Sequence, residues 1–299
     1  TRARLAYPST LPEGGLGPAD AVAHEFRCTS DAYGVHGDIW KCPACGMLYL
    51  DDATAVDTVE DIVGSVEDQV YLSEEAGRLK TFGRQLALVD RAIPTKGRML
   101  EVGCYAGVFL AMARDDGWKV AGVEPSAWAA EYARETRRLD VRNTTMAEGM
   151  FEDCAFEAVV MWDVIEHLVD PAAVIRACFA TLKPGGVLVL STVDAGALLA
   201  KVSGGHWPWF MSMHRVYFSR FTLRRVLREA GFEQVGFRTH VRWVSGSYFA
   251  ERLVLAAPPA LKGLAKVLSI FIPKKRLVPV VTGDLFDAWA FRPPRGRDQ

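Results

Sequence analysis

The sequence RMLEVGCYAGVFLAMARDDGWKVAGVEPS, residues 98–126, decides the fold of this chain. It begins with a short apolar run and continues through a turn that contains Gly103 and Gly107. An apolar helical segment follows, and a second apolar run over residues 119–123 ends at Glu124. A strand, a helix and a second strand in this order are typical of a parallel βαβ unit.

The same alternation continues along the chain. Residues 158–163 and 187–191 are predicted strands, and the helix between them begins with Asp170 as N-cap and Pro171 as its first residue. The turn sequence KPGG ends that helix. A later amphipathic helix, FSRFTLRRVLREAGF, precedes two further predicted strands, EQVGFRTHV and DLFDAWAFR. The pattern predicts an α/β fold with a parallel, doubly wound sheet.

The composition is that of a globular protein, since 50% of the 299 residues are hydrophobic and 24% are charged. A formal charge of −1 argues against a nucleic-acid-binding protein, which usually carries a basic excess. No apolar run is long enough to predict a membrane span, and the first residues do not form the apolar core of a signal peptide. We therefore expect a cytoplasmic protein. The sequence divides into four parts: an N-terminal arm with a cysteine-rich module (residues 1–55), a helical connector (56–97), a core (98–240), and a lid helix with the last strand (241–299).

The glycine turn and the acid after the second strand indicate a ligand site. Ligands of open α/β sheets bind beyond the carboxyl ends of the strands, and glycine lets the backbone approach them closely. A dinucleotide site would need the spacing G-x-G-x-x-G, which residues 103–107 lack. Glu101 suits a cationic ligand, and Glu124 can accept two hydrogen bonds from ribose hydroxyls. The alternative for Gly103 and Gly107 is an ordinary strand–helix turn.

Several motifs in succession resemble one family. LEVGCYAG followed by GVEPS is similar to the S-adenosylmethionine site of class I methyltransferases, and VVMWDVIEHLVDP and LKPGGVLVLST resemble its later motifs. The resemblance covers roughly residues 98–240 and implies a Rossmann-like sheet of seven strands with helices on both faces. DLFDAWAF is the candidate for the seventh, antiparallel strand. Tyr105 stands where the family usually has a middle glycine.

The resemblance also implies which residues bind the methyl donor. Glu101 and Gly103 would lie near its methionine part, Glu124 would hold the ribose, and Asp163 would close the site, with a helix-capping role as the alternative for Asp163. Met146 and Ala147 would flank the adenine. The full set of expected donor-binding residues is Glu101, Gly103, Tyr105, Gly107, Glu124, Pro125, Met146, Ala147 and Asp163.

Two histidines are candidates for the general base that a hydroxyl acceptor needs. His167 follows the strand predicted over residues 158–163, at the mouth of the predicted sheet, and His214 lies in the aromatic segment GGHWPWFMSMHRVYFS. A hydrogen bond at the start of a helix is the alternative role for His167, and packing within a lid is the alternative for His214. The aromatic side chains of the segment are expected to pack in a core or lid, or to form a wall over the acceptor.

The N-terminal cysteines predict a structural zinc site. Cys42 and Cys45 have the spacing of a zinc knuckle, and Cys28 supplies a third ligand. His36 is the expected fourth ligand, with His24 and Asp31 as alternatives. The competing interpretation is a degenerate ribbon without metal. Many sugar and small-molecule methyltransferases are similar in having such a ribbon, and some ribosomal-RNA methyltransferases have one too.

The segment PPALKGLAKVLSIFIPKKRLVPV combines apolar and basic residues. It is interpreted as a lid helix packed on its own domain, as a peripheral membrane contact, or as a binding surface for a lipid-linked acceptor.

The leading functional hypothesis is an S-adenosylmethionine-dependent methyltransferase that acts on a hydroxyl of a sugar or natural product. RNA methylation and a non-catalytic donor-binding scaffold are the alternatives, and nicotinamide-dependent redox chemistry is the weakest. The oligomeric state is not predicted.

Overall fold

A computed structural model describes residues 3–11, 32–50, 69–255 and 261–294 of the chain. The strands are β1 Arg4–Tyr7, β2 Ile39–Lys41, β3 Leu48–Leu50, β4 Arg98–Val102, β5 Lys119–Val123, β6 Val141–Arg142, β7 Phe156–Trp162, β8 Leu182–Val193, β9 Val216–Tyr217, β10 Glu233–Thr239, β11 Arg242–Ser245, β12 Leu277–Val280 and β13 Leu285–Phe291. The helices are α1 Gln69–Ser73, α2 Glu75–Ala92, α3 Val108–Asp115, α4 Ala127–Arg137, α5 Pro171–Thr181, α6 Leu198–Ser203, α7 Arg220–Glu229, α8 Gly246–Leu255 and α9 Lys262–Ile270. Two short 3₁₀ helices span Ile165–His167 and Gly204–His206.

The centre of the fold is a seven-stranded sheet with the order β10-β13-β8-β7-β4-β5-β6. Strands β4 to β8 pair in parallel, whereas β13 lies between β10 and β8 and is antiparallel to both. The Rossmann-like fold and its antiparallel seventh strand are therefore confirmed. The strand order reverses between β4 and β7, so the carboxyl ends of these strands frame the switch point at which α/β proteins bind ligands.

Helices cover both faces of the sheet, which explains why its strands are almost continuously apolar. Val89 of α2 and Phe109 of α3 pack on Met99 from one face. From the other face, Ile175 of α5 and Leu223 of α7 pack in one cluster with residues of β4, β7 and β8. Because both faces are buried, the side chains that emerge at the strand ends stand on a rigid support.

The strands and helices begin and end within a few residues of the predicted positions, except for the strand predicted over residues 187–191. That strand extends over residues 182–193, because β13 pairs with it along residues 187–193 and Leu182 pairs with Phe156. The capping prediction for α5 is confirmed, since the Asp170 carboxylate accepts a hydrogen bond from the backbone N–H of Ala173 at 2.9 Å. Of the predicted helical connector, residues 56–68 lie outside the described part of the chain.

The N-terminal segment belongs to a small antiparallel sheet with the order β1-β2-β3-β9. Its fourth strand, Val216–Tyr217, comes from the segment that follows β8, so the cysteine-rich module is anchored to the predicted core. Trp207, Phe210 and Tyr217 are buried and pack in one cluster with residues of β2 and β3. For these three aromatic residues, core packing is the observed role.

Helix α9 does not pack as the predicted lid helix would. Within this helix Ala265 is buried, whereas Leu264 and Val267 are more than half exposed. Helix α9 contacts α8, and β11 pairs with β12 beside them. No helix among the described residues is long and apolar enough to cross a membrane.

Gly107→Ala is expected to destabilise the fold by about 2–4 kcal/mol. Gly107 caps α3 in a left-handed conformation, φ 72°, which costs an L-residue roughly 1 kcal/mol. A Cβ there would also lie 2.5 Å from Leu139 Cδ1, and such overpacking costs about 1–3 kcal/mol more. Gly149 has a similar φ of 75° with open space around it, so Gly149→Ala isolates the conformational cost. If urea unfolding shows the same loss of unfolding free energy in both variants, the packing argument is wrong.

Candidate active site

A cavity of about 700 Å³ opens at the carboxyl ends of β4, β5, β7 and β8. Helices α1 and α2, the aromatic segment after α6 and the segment that follows β10 also line it. Seven expected donor-binding residues line it: Glu101, Gly103, Tyr105, Glu124, Pro125, Met146 and Asp163. Gly107 and Ala147 do not line the cavity, and Gly107 instead packs against Leu139 as the cap of α3.

Glu124 directly follows β5, and its side chain is buried in the cavity wall. One carboxylate oxygen, Oε2, accepts a hydrogen bond from the backbone N–H of Tyr105, and Oε1 accepts one from the N–H of Ser126, both at 2.8 Å. Burial raises the pKa of Glu124 to about 7, although both amides favour the ionised form. Each oxygen keeps acceptor capacity for a hydroxyl group of a ligand.

Glu101 is the second buried carboxyl of the site. It precedes Val102, the last residue of β4, and is 2% exposed, and its Oε2 has no hydrogen-bond partner. Burial, reinforced by the neighbouring Glu124, raises its pKa well above the usual range. A buried acceptor without a partner costs free energy unless a ligand supplies the donor. A ligand amino group would satisfy this oxygen.

The turn between these acids is shaped by Gly103 and Tyr105. A Cβ on Gly103 would lie 2.6 Å from Val164 Cγ2, and its φ of 70° favours glycine. Tyr105 takes φ 45°, the conformation that makes glycine usual at this position. Its ring packs edge-on against Tyr71, with the ring centroids 4.5 Å apart. This packing offsets part of the backbone strain and places an aromatic ring in the cavity wall.

Asp163 lies just after β7, with φ 52°. Its carboxylate accepts hydrogen bonds from the Ser191 hydroxyl at 2.7 Å and from Arg242 at 2.6 Å. Burial acts to raise the pKa of Asp163, but the charges of Arg242 and His240 and the Ser191 bond lower it overall. The side chain is therefore held in place in the cavity wall by polar partners from β8 and β11.

His167 and His214 lie side by side in the cavity wall, with ring centroids 4.8 Å apart. Burial lowers the pKa of His167, and burial together with His167 lowers the pKa of His214 to about 3. A histidine with a pKa near 3 is a weak proton acceptor, which argues against His214 as the base. Glu166 lies beside both rings, and burial and Asp163 raise its pKa to about 8.

His240 also lines the cavity, although no sequence motif marks it. Its Nδ1 lies 2.7 Å from the Asp287 carboxylate, and its buried Nε2 has no hydrogen-bond partner. Asp287 also accepts hydrogen bonds from Arg238 at 2.7 Å and Gln85 at 3.3 Å. Burial opposes ionisation of Asp287, but its bonds to His240 and Arg238 lower its pKa. A carboxylate-oriented imidazole with an unpartnered Nε2 is the geometry of a general base.

The cysteine knuckle lies apart from this cavity. Backbone N–H groups of Cys45 and Ala44 and the Cys45 thiol bond to the Cys42 sulfur and lower its pKa. Gly46 takes φ 78°, which permits the tight turn of the knuckle. The two sulfurs are therefore adjacent and one is stabilised as a thiolate.

His36 does not join the two cysteines. The described residues contain no close group of His36, Cys42 and Cys45. The His36 ring is buried, and its Nδ1 and Nε2 face the carbonyl oxygens of Gly37 at 2.6 Å and Gly205 at 3.0 Å. Both ring nitrogens are directed at backbone carbonyls and not at the cysteine sulfurs, so His36 is not placed as the fourth ligand. Cys28 and the alternatives His24 and Asp31 lie outside the described residues.

Comparison with known proteins gives the family context. Residues 71–235 match the model of a family described as a methyltransferase domain. The chain is 39% identical over 102 residues to a ubiquinone biosynthesis O-methyltransferase of Rhodopseudomonas palustris, covering 32% of this chain and 40% of the relative. It is 32% identical over 136 residues to a protein of Mycolicibacterium smegmatis named a probable S-adenosylmethionine-dependent methyltransferase, covering 45% of this chain and 51% of the relative. The chain thus spans about half the length, or less, of these relatives.

The fold also resembles a solved structure. A SAM-dependent methyltransferase from Archaeoglobus fulgidus aligns with a TM-score of 0.51 and 16% identity, over 75% of this chain and 100% of that chain. At this identity the likeness concerns the fold alone.

Proposed function

Since the chain belongs to the methyltransferase-domain family, we propose that it transfers a methyl group from S-adenosylmethionine to a hydroxyl of a small acceptor, a sugar or natural product. The observation that carries the proposal is the pair of buried carboxyls, Glu101 and Glu124, at neighbouring strand ends in one cavity. The O-methyltransferase name of the Rhodopseudomonas palustris relative supports an oxygen acceptor. The sugar or natural-product class rests on the sequence resemblance.

The cavity residues fit the donor group by group. Glu124 accepts hydrogen bonds from the two ribose hydroxyls, and the unpartnered oxygen of Glu101 accepts a hydrogen bond from the amino group. Gly103 leaves room for the methionine backbone, and Met146 supplies an apolar wall for the adenine. When bound, S-adenosylmethionine supplies a methyl carbon on a positively charged sulfur, and the two carboxyls complement the positive charge of the donor.

The base of the reaction is assigned to His240. Its Nε2 takes the proton of the acceptor hydroxyl while the oxygen bonds to the methyl carbon, and the electron pair of the breaking C–S bond returns to sulfur. Asp287 then faces an imidazolium ion, whose charge it stabilises. His167 and His214 remain the bases expected from the sequence, but their lowered pKa values suit proton removal less well.

The proposal is tested by calorimetry with S-adenosylhomocysteine and by transfer of radiolabelled methyl to a panel of sugars and phenolic or alcohol natural products. One-to-one binding of the product, with label recovered in an acid-stable ether, is the expected result. Binding without transfer to any acceptor of the panel would favour the scaffold alternative. Absence of binding would remove the donor assignment.

Donor affinity is expected to increase with pH up to about 7 and then to level off. The pKa of free Glu124 is about 7, and its ionised form is the better acceptor for two hydroxyls. Below this pH, binding must first remove the proton, which costs up to about tenfold in affinity per pH unit. Calorimetry between pH 5.5 and 8.5, in buffers of different ionisation enthalpy, should detect the released proton. A flat profile would contradict a protonated Glu124.

The same chain is proposed to carry one structural zinc ion on the cysteine knuckle. The adjacent sulfurs of Cys42 and Cys45 and the amides that stabilise a thiolate fit zinc, with Cys28 as the third ligand. Cys42→Ser should reduce the zinc content by about one ion per chain, measured by mass spectrometry of the purified protein. Cys154→Ser serves as the control, since Cys154 is a free cysteine outside the knuckle. Equal zinc content in both variants would exclude the knuckle as a site.

A further inference from the structure

Three side chains that the proposed donor site does not use converge in the cavity wall. Glu166, His167 and His214 each place a potential ligand atom within 4.8 Å of the other two. Glu166 and His167 form the 3₁₀ turn after β7, whereas His214 reaches them from the aromatic segment before β9. All three residues line the cavity.

The hydrogen bonds of the two histidines fix the nitrogen that is available. His167 Nδ1 lies 3.0 Å from the carbonyl oxygen of Met213, and His214 Nδ1 lies 2.9 Å from that of Trp209. A carbonyl oxygen only accepts, so each Nδ1 carries the proton and each neutral ring keeps its lone pair on Nε2. A backbone carbonyl that orients the second nitrogen is the usual support of a metal-binding histidine.

Glu166 is supported in the same way. Thr192 donates its hydroxyl hydrogen to Glu166 Oε2 at 2.9 Å, which orients the carboxylate and leaves Oε1 as a ligand atom. Glu166 is 2% exposed and His214 is 5% exposed, so water solvates this oxygen and nitrogen poorly. An ion with ligands at about 2.0–2.2 Å holds them roughly 3–4 Å apart, a spacing within reach of small rotamer changes.

We propose that Glu166, His167 and His214 bind a divalent transition-metal ion whose open coordination position faces the acceptor side of the cavity. Two imidazoles and one carboxylate are a donor set typical of Zn²⁺ and Fe²⁺. Three protein ligands leave a position free, as catalytic metal sites do.

The role of the ion rests on the proposed methyl transfer. An acceptor hydroxyl bound at the open position loses its proton more readily, because the metal stabilises the oxyanion. His240 lines the same cavity and supplies the group that takes this proton. The inference therefore adds an acceptor-binding ion to the donor site, and it gives Glu166, His167 and His214 a common role.

The test measures metal binding without donor or acceptor, so its failure is distinct from failure of the methyl-transfer proposal. Metal-free protein carrying Cys42→Ser, which disables the knuckle, is titrated with Zn²⁺ by calorimetry and with Co²⁺ by absorption spectroscopy. We expect one ion per chain, with ligand-field bands and without the sulfur-to-metal charge-transfer band that the knuckle would give. Glu166→Gln and His214→Ala should each weaken this binding by more than roughly 100-fold, since even loss of a supporting residue costs 10–100-fold.

His206→Ala is the matched control, because His206 is exposed and does not line the cavity. It should bind the ion as the parent does. A circular dichroism spectrum and a urea unfolding transition like those of the parent show that each variant is folded. No binding of Zn²⁺ or Co²⁺ by the folded parent, or binding that survives both Glu166→Gln and His214→Ala, would overturn the metal site.

A separate observation concerns the surface of α9. Six large apolar side chains on this helix and at its two ends are between 49% and 78% exposed: Leu261, Leu264, Val267, Leu268, Ile270 and Phe271. Five exposed cations accompany them: Lys262, Lys266, Lys274, Lys275 and Arg276. The sequence has no acidic residue between positions 252 and 283. Apolar and basic residues together complement an anionic lipid surface.

From this charge complementarity we infer that α9 docks the protein on anionic bilayers. Sedimentation with phosphatidylcholine vesicles containing phosphatidylglycerol should capture the protein, and pure phosphatidylcholine vesicles should capture at least roughly tenfold less. Leu264→Glu and Phe271→Glu should abolish capture, whereas Phe221→Glu, an equally exposed position on α7, should not. Equal capture by both vesicle types, or no capture at all, would overturn the inference. A dimer that Leu264→Glu dissociates, without vesicle binding, would assign the surface to a second copy of the chain.

Discussion

Replacing Glu124 with alanine is expected to weaken binding of S-adenosylmethionine and of its demethylated product by roughly 100-fold or more. A hydrogen bond to a charged group contributes about 1.5–3 kcal/mol, and Glu124 is assigned two of them to the ribose. Each 1.4 kcal/mol corresponds to a factor of ten in affinity. The backbone N–H groups of Tyr105 and Ser126 would also lose their acceptor, which loosens the glycine turn.

Glu124→Gln separates these two contributions. The amide keeps the size of the side chain and one acceptor oxygen, but its NH₂ group must face one of the two backbone donors. We expect an intermediate loss of affinity and no dependence on the titration near pH 7. Glu131→Ala, on the exposed face of α4, is the control and should bind as the parent does. Affinities measured by calorimetry that are equal for Glu124→Ala and the parent would remove the ribose assignment.

The parts of the fold that the sequence predicted are those encoded by neighbouring residues. The β4–α3–β5 unit follows from local apolar periodicity, and the start of α5 follows from Asp170 and Pro171. The position of Glu124 at the end of β5 follows from the same local pattern. The seventh strand was predicted because the resemblance supplied its existence and DLFDAWAF supplied a strand-like segment.

The parts that were missed depend on contacts between distant segments. His240 and Asp287 are 47 residues apart and meet because β10 pairs with β13. The sequence does contain one indication of this pair: Asp287 is an acidic residue within an otherwise apolar strand, and a buried carboxylate needs a partner. His167 and His214 were both singled out as bases, but only the structure shows that they lie together with Glu166. The exposure of α9 likewise depends on what the rest of the chain leaves uncovered.

His240→Ala is expected to lower the turnover number by roughly 10²–10⁴-fold and to leave donor affinity nearly unchanged. His240 removes a proton only in the transition state, whereas the donor contacts belong to Glu101 and Glu124 on the opposite side of β7 and β8 in the strand order. Added imidazole should restore part of the activity by filling the space of the lost ring. His206→Ala, at an exposed position outside the cavity, should retain full turnover.

Asp287→Asn tests whether His240 acts through this partner. Arg238 donates to Oδ2 of Asp287 at 2.7 Å, so the oxygen of the introduced amide would face Arg238 and its NH₂ group would face His240 Nδ1. Nδ1 must then accept a hydrogen bond, which leaves the proton on Nε2, the nitrogen that has to receive one from the acceptor. Turnover should therefore fall although the imidazole stays in place, and imidazole should not rescue it. The assignment would be wrong if His240→Ala and Asp287→Asn both kept full turnover and only His167→Ala or His214→Ala lost it. The base would then be His167 or His214.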